Sequence, residues 1–511
     1  MMTLNWVSRI GRLAVAAALL AGICAYGIGD VARAGEEEDP TQARDRSRSE
    51  LLTLVDTIDL NRWRPNTFTV SPDGMRMAHA VLDSQGRGHV VIDGRAGTNY
   101  AGLFGKPVFS ADSRRVAYLA MNTQNLWFVV ADGVENRNRY PSVKGHSAVS
   151  PDLLFSLDGR RLAYVVFADI GGAGKQFVVV DREVGSKYDE IAGLAISPGG
   201  ERLAYAARTG NQWAVVVDGR EGPRHEGVLS RTPVFSPDGR HVAYGGREGK
   251  RFFVVVDGKR GRDYDDLGGA ILFSPDSARM AYSPSVGRRR AVVVNEEEIG
   301  LYERVDDYSF VFSADGKHLA YKAGDAQSWF VVVDGKRGTS YAGVGRPVFT
   351  PDGSKVAHSA CDRCGSGKGD DSAMFVVVDG RRIGAAYADI AAPIAFNADG
   401  RRMAFVAKRG AAQFVVVDER EEKAYAGVVA ESLAFSPSGR DLVFTAANSA
   451  GKHFIVVSGV EGREFDAVEP RGLGCRPPQG CGVLFDSDRS FRYLAWQRDR
   501  VYLVRNSAGD H

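Results

Sequence analysis

The sequence predicts an all-β protein, a β-propeller built of about eleven four-stranded blades. Two observations carry this. A turn tetrad, SPDG or a close variant, begins at Ser71, Ser110, Ser156, Ser197, Ser236, Ser274, Ser313, Thr350, Asn397 and Ser436, with a degraded eleventh copy at Asp486 to Arg489. A second motif, FVVVDG or a variant, follows each clear tetrad, and seven or eight residues after its Asp comes a ring such as Tyr100, Tyr188, Tyr264 or Tyr341. Most tetrad intervals run from 37 to 41 residues, the length of one blade. Composition agrees: 44% apolar residues and 60 Gly in 511 residues suit a large, turn-rich globular chain.

From the N-terminus, residues 1 to 34 read as a secretory signal peptide. Arg9 and Arg12 precede the apolar run Leu13 to Ile28, and Ala32-Arg33-Ala34 forms an A-x-A cleavage site before Gly35. The run has 16 residues, where a spanning helix needs about 20, so no membrane span is expected after cleavage. Periplasmic or secreted localisation follows. Residues 35 to 62 read as a charged leader ending in the apolar stretch Leu51 to Leu60.

The seventh unit shows how a blade is written. Tyr308 to Phe312 is the first strand and Ser313 to Gly316 the turn, with Gly supplying positive φ. Lys317 to Lys322 alternates polar and apolar residues, as a half-buried strand does. Trp329 to Val333 is a β-branched run expected to be covered on both faces, Asp334-Gly335 turns the chain, and Ser340 to Val344 is the fourth strand. The last unit has three strands and no fourth. The stretch Leu51 to Leu60 is expected to fill that slot and join the chain ends.

Characterised propellers typically hold four to eight blades. Eleven units therefore suggest two tandem rings, residues 63 to 270 with about five blades and 271 to 511 with about six, one large ring being the alternative. The proposed boundary lies near the sixth unit, the one in which VVVNEEE at 292 to 298 replaces FVVVDG. Arg288-Arg289-Arg290 and Glu296-Glu297-Glu298 are expected to pair across a hairpin as a solvated ionic face.

The motifs SPDGRHVAY at 236 to 244 and SADGKHLAY at 313 to 321 resemble the WD-repeat-like, TolB-type β-propeller family. The resemblance spans about residues 67 to 505. It implies a rigid propeller scaffold.

In a four-stranded meander the SPDG and DG turns lie on one face, while the remaining loops lie on the other. Three insertions are expected on that second face: Pro141 to Leu154, Ala360 to Ser372, and Val468 to Gly482. Variable loops on a rigid scaffold commonly carry binding. The candidate partner contacts are Lys144, His146, Lys368, Asp370, Asp371 and Arg471. Within the same insertions, Cys361 with Cys364 and Cys475 with Cys481 read as two disulfides of an oxidising compartment. A redox CxxC and a four-thiolate zinc site are the alternatives.

Charge narrows the partner. With the signal removed, 62 basic and 62 acidic side chains remain in 477 residues, without the basic excess expected of a nucleic-acid binder. No GxSxG elbow or HExxH helix occurs, and Gly171 to Lys175 lacks the Ser or Thr that a phosphate loop needs. His79 and His358 occupy slots that hold Tyr or Phe in most units and read as core substitutions. We therefore expect no catalytic, cofactor or metal residues. The sequence reads as an exported, non-enzymatic scaffold for a protein or cell-envelope partner, with a channel-centred lyase or hydrolase as the alternative.

Overall fold

The computed structural model describes residues 48–141, 149–150, 152–170, 173–364, 373–469 and 483–508. These form eleven antiparallel sheets, the blades of a single propeller ring. Blade one shows the plan: Thr69–Val70 innermost, then Met77–Leu82, Gly88–Ile92 and Arg95–Ala96 outermost. The turn between the middle and outer strands is tight because its Asp is held left-handed, φ +51° at Asp93, and Gly94 follows at +76°. That geometry matches the right-handed twist of the flanking strands.

In blade seven the third strand, Trp329–Val333, lies where the sequence predicts it. The second runs Leu319–Gly324, and its side chains are buried on both faces rather than one, because a neighbouring blade covers each side of the sheet. Two segments differ. The expected first strand is a short 3-10 turn, Asp307–Ser309, followed by Val311–Phe312. The expected fourth strand splits: Tyr341 bridges to Trp329, while Gly343–Val344 pairs with Val356–Cys361 and so begins blade eight.

The expected division into two rings is not what forms; the alternative, one large ring, does. The expected boundary at residue 270 falls inside the innermost strand of blade six, Asp266–Phe273, and blades five and six share a core of Ala243, Val254, Tyr264, Leu267, Met280 and Tyr282, as other neighbours do. A five-blade ring would need blade five to cover blade one. That surface is already taken: Met77 of blade one packs with Leu494, Trp496 and Val501 of blade eleven. Eleven wedges close when each turns by about 33°.

Closure uses the N-terminal chain. The strand Arg48–Thr57 pairs antiparallel with Arg500–Ala508 over nine residue pairs, filling the outer slot of blade eleven. The two ends of the described chain are thereby hydrogen-bonded to each other. The signal segment lies outside the described residues, and among those residues no helix is long and apolar enough to cross a membrane.

Candidate functional site

Much of the polar and aromatic chemistry that the repeats carry holds the blades to one another. On the turn face, Arg202 at the start of a second strand donates from Nε to Asp218 Oδ2 at 3.0 Å. Its Nη1 reaches into the next blade, to the carbonyls of Gly239 at 3.3 Å and Arg240 at 2.5 Å, and its guanidinium lies over Phe235. Arg76, Arg115 and Arg402 repeat the arrangement with Asp93, Asp132 and Asp418. His241 and His318 stand in for Arg, each 2.6 Å from its Asp. In the blades with this Arg, the Asp of the DG turn therefore anchors a clamp between blades.

The tetrads are equally structural. Ser313 Oγ donates to Asp315, which holds that carboxyl down at about 2; Thr350 does the same for Asp352. Gly353 has φ +73°, and a Cβ there would meet Ser313 of the preceding blade at 3.1 Å. The tetrad glycine thus serves both the turn and the approach of its neighbour.

Between blades, the ring that follows each DG turn meets the third residue of the next blade's second strand. Tyr188 packs on Tyr205, Tyr264 on Tyr282 and Tyr425 on Phe444, with centroids 5.9 to 6.1 Å apart. Edge-on geometry suits the ring quadrupoles. Burial pushes the phenols up, Tyr244 to about 12. His358 fills such a slot against Tyr341, and burial lowers its pKa. At the closing seam the same two slots hold Asp56 and His79, with Oδ2 and Nε2 2.8 Å apart and side chains 8% and 2% exposed. Both histidines are core groups, as the sequence suggests.

Three places are left over: the channel wall, its cavity, and the loop face. In several blades the innermost strand is broken by a short turn that exposes one side chain, Asn66, Asp152, Arg231, Tyr308, Arg346 or Glu431. A cavity of about 640 Å³ opens across blades two to four, lined by Lys106, Asp152, Leu153, Phe167, Ile191 and Leu194 among others. Its lining mixes the apolar Leu153, Leu154, Ile191 and Leu194 with Lys106, Ser150 and Asp152. Among the described residues no three His, Cys, Asp or Glu side chains gather as a metal site.

Lys144, His146, Lys368, Asp370, Asp371 and Arg471 all lie outside the described residues, as do Cys475 and Cys481. Cys361 and Cys364 are disulfide-bonded, with Cα atoms 5.6 Å apart. The insertion after Pro141 leads to Val149 and the cavity, and that after Cys364 joins the middle strands of blade eight. The third differs from expectation. Its flanks, Ala467–Glu469 and Leu484–Ser487, both pair with Ser490–Gln497, so it interrupts the innermost strand of blade eleven instead of linking blades. Arg290 also departs from the expected hairpin pairing. In register, Arg290 faces Tyr302 while Glu297 faces Val294 at the far end, and the guanidinium pairs with Asp307 at 2.6 Å. Sequence reasoning missed the wall side chains, because each sits singly in a break that carries no motif.

No family model matches the sequence, and no curated protein does. Among solved structures, a eukaryotic initiation factor is 11% identical, the match covering 70% of this chain and 99% of that one with a TM-score of 0.37. The β-propeller domain of a trilobed protease from Pyrococcus furiosus is 13% identical, covering 54% and 94% with a TM-score of 0.26. TolB from Acinetobacter baumannii is 13% identical, covering 69% and 82% with a TM-score of 0.23. These likenesses concern the β-propeller fold alone.

Proposed function

We propose that this chain is an extracytoplasmic, non-enzymatic scaffold that holds a protein or cell-envelope partner at its loop face and channel mouth. One observation carries the reading. The regularly repeated Arg, Asp and Tyr side chains are engaged in blade seams on or below the turn face. Irregular chemistry collects elsewhere, in the wall tips and the 640 Å³ cavity. A rigid frame with variable attachments is the usual division of labour for binding. The disulfide Cys361–Cys364 supports an oxidising compartment. The candidate contacts at 144, 146, 368, 370, 371 and 471 belong to this proposal.

Site-specific photocrosslinking in the native host tests it. A photoreactive residue at Phe167 in the cavity or at Lys144 should yield one discrete adduct, and one at Asp238 on the turn face should yield none. Adducts from Asp238 alone would reverse the assignment of faces.

A further inference from the structure

The wall of blades five to eight retains positive charge after its ion pairs are made. Around the turn Asp307–Ser309 of blade seven, Arg290 engages Asp307 at 2.6 Å and approaches Asp266 at 3.8 Å. Lys322 lies 3.8 Å from Asp306, and Arg304 donates to backbone carbonyls and stacks over Trp329 at 4.3 Å. Those three carboxylates are thus answered. Arg231 of blade five and Arg346 of blade eight have no carboxylate partner among the described residues, and both are exposed.

The two arginines bracket one spot. The Arg231 guanidinium lies over the Tyr308 ring, 5.4 Å from its centroid, and Arg346 Nη2 donates to the carbonyl of Phe310 at 3.3 Å. Tyr308 itself is 59% exposed, unusual for a ring in this protein, where most tyrosines are buried in seams. Arg231 also keeps a left-handed backbone, φ +65°, a conformation that few bulky residues adopt. Stacking on Tyr308 fixes the direction of its fork before any ligand arrives.

Blade six lies between them. Its innermost strand, Asp266–Phe273, slips register between Leu267 and Ile271, so Gly268, Gly269 and Ala270 stand outside the ladder with the next strand. Gly269 is exposed, and a Cβ there would come within 2.7 Å of the Tyr308 hydroxyl. A Cβ at Gly268 would likewise meet Asp307 and Arg290, so the bulge is bare of side chains at both glycines because Tyr308, Asp307 and Arg290 close over it. This sets the exposed Tyr308 ring between two guanidinium groups that have no carboxylate partner among the described residues.

We propose that this stretch of wall binds an acidic peptide segment in extended form. Its carboxylates would pair with Arg231 and Arg346, whose planar forks suit bidentate contact. Its backbone would cross the exposed Tyr308 ring, which lies between the two forks. Two forks set apart on blades five and eight, with the Tyr308 ring between them, call for carboxylates spaced along one extended chain, which a free phosphate does not supply. The inference rests on the scaffold reading and names the chemistry of the partner's inserted segment.

Fluorescein-labelled decaglutamate, titrated against the full chain at low salt and followed by anisotropy, is the test. Saturable binding is expected, weakened at least tenfold by Arg231→Ala with Arg346→Ala and severalfold by Tyr308→Leu alone. Arg240→Ala with Arg440→Ala, removing the same charge from the turn face, should bind as the native chain does, and decaglutamine should not bind. Equal affinity for the Arg231/Arg346 variant and the native chain, or no saturable binding at all, overturns the proposal. So does stronger displacement by polyphosphate or polygalacturonate than by unlabelled decaglutamate. A crosslinked partner at the loop face with no decaglutamate binding would sink this inference and leave the scaffold reading intact. Site-dependent decaglutamate binding with crosslinks confined to the turn face would do the reverse.

Discussion

Replacing Asp56 by Ala tests how the ring is closed. Asp56 and His79 form a buried pair at 2.8 Å between the strand that completes blade eleven and the second strand of blade one. Asp56 also caps the Thr57 amide at 2.7 Å, and the Trp63 ring packs edge-on to His79. Removing one partner leaves a buried polar group unanswered, since His79 Nδ1 already lacks a bond among the described residues. The cost at this seam should be about 3 kcal/mol. That corresponds to a loss of roughly 150-fold in hydrogen-exchange protection for amides between Arg48–Thr57 and Arg500–Ala508. Replacing both partners, Asp56→Phe with His79→Phe, installs the ring pair used at the other seams, such as Tyr188 on Tyr205. Protection should then return to within about tenfold of native, because exchanging a whole buried pair for packed apolar groups is close to neutral. Native protection in Asp56→Ala, or a double variant as unprotected as the two single losses combined, would refute the reasoning.

Other expectations concern the seams and their titrations. Arg202→Met, which loses the Asp218 pair and two carbonyl contacts at a partly exposed site, should lower stability by about 1 kcal/mol in urea and speed proteolysis between blades four and five. Asp315 and Asp352, held at about 2 in the folded chain, add stability that is full above their unfolded value near 3.8 and disappears as pH falls through about 2. The difference in melting temperature between the native chain and Asp315→Asn should therefore shrink over that window. Tyr244, raised to about 12 by burial, acts in the opposite direction. Its contribution is full below pH 10 and is lost as pH climbs from 10 through 12, so ultraviolet titration should show buried phenols ionising together with alkaline unfolding.

Much of the scaffold is readable in the sequence because its signals are local. A tetrad such as Ser313 to Gly316 turns the chain through its own side chain and its own φ, and Trp329–Val333 declares itself by β-branched composition. The outer strand of blade eleven is foreseeable by counting, since one unit lacks a strand and one apolar stretch lacks a partner. Ring number is different. It depends on whether blade five meets blade six or blade one, a contact decided by Tyr264, Leu267 and Met77 jointly, with no local mark. The clamp made by Arg202 is hidden for a related reason: within its unit it is one polar residue of an alternating strand, and its carbonyl partners lie 37 and 38 residues away. Arg231, Tyr308 and Arg346 become neighbours only when four blades are in place. Chemistry that repeats is legible from one chain, whereas chemistry assembled across blades is not.

The most direct measurement is single-particle electron microscopy of the full chain, with blades counted in the class averages. A single ring of eleven blades around an open centre is the predicted result, since the seam packing, the closing strand and the wall site all depend on it. Two smaller rings, of five and six blades, would contradict the account, because Arg48–Thr57 would then close a different ring and Arg231 and Arg346 would no longer share one channel wall.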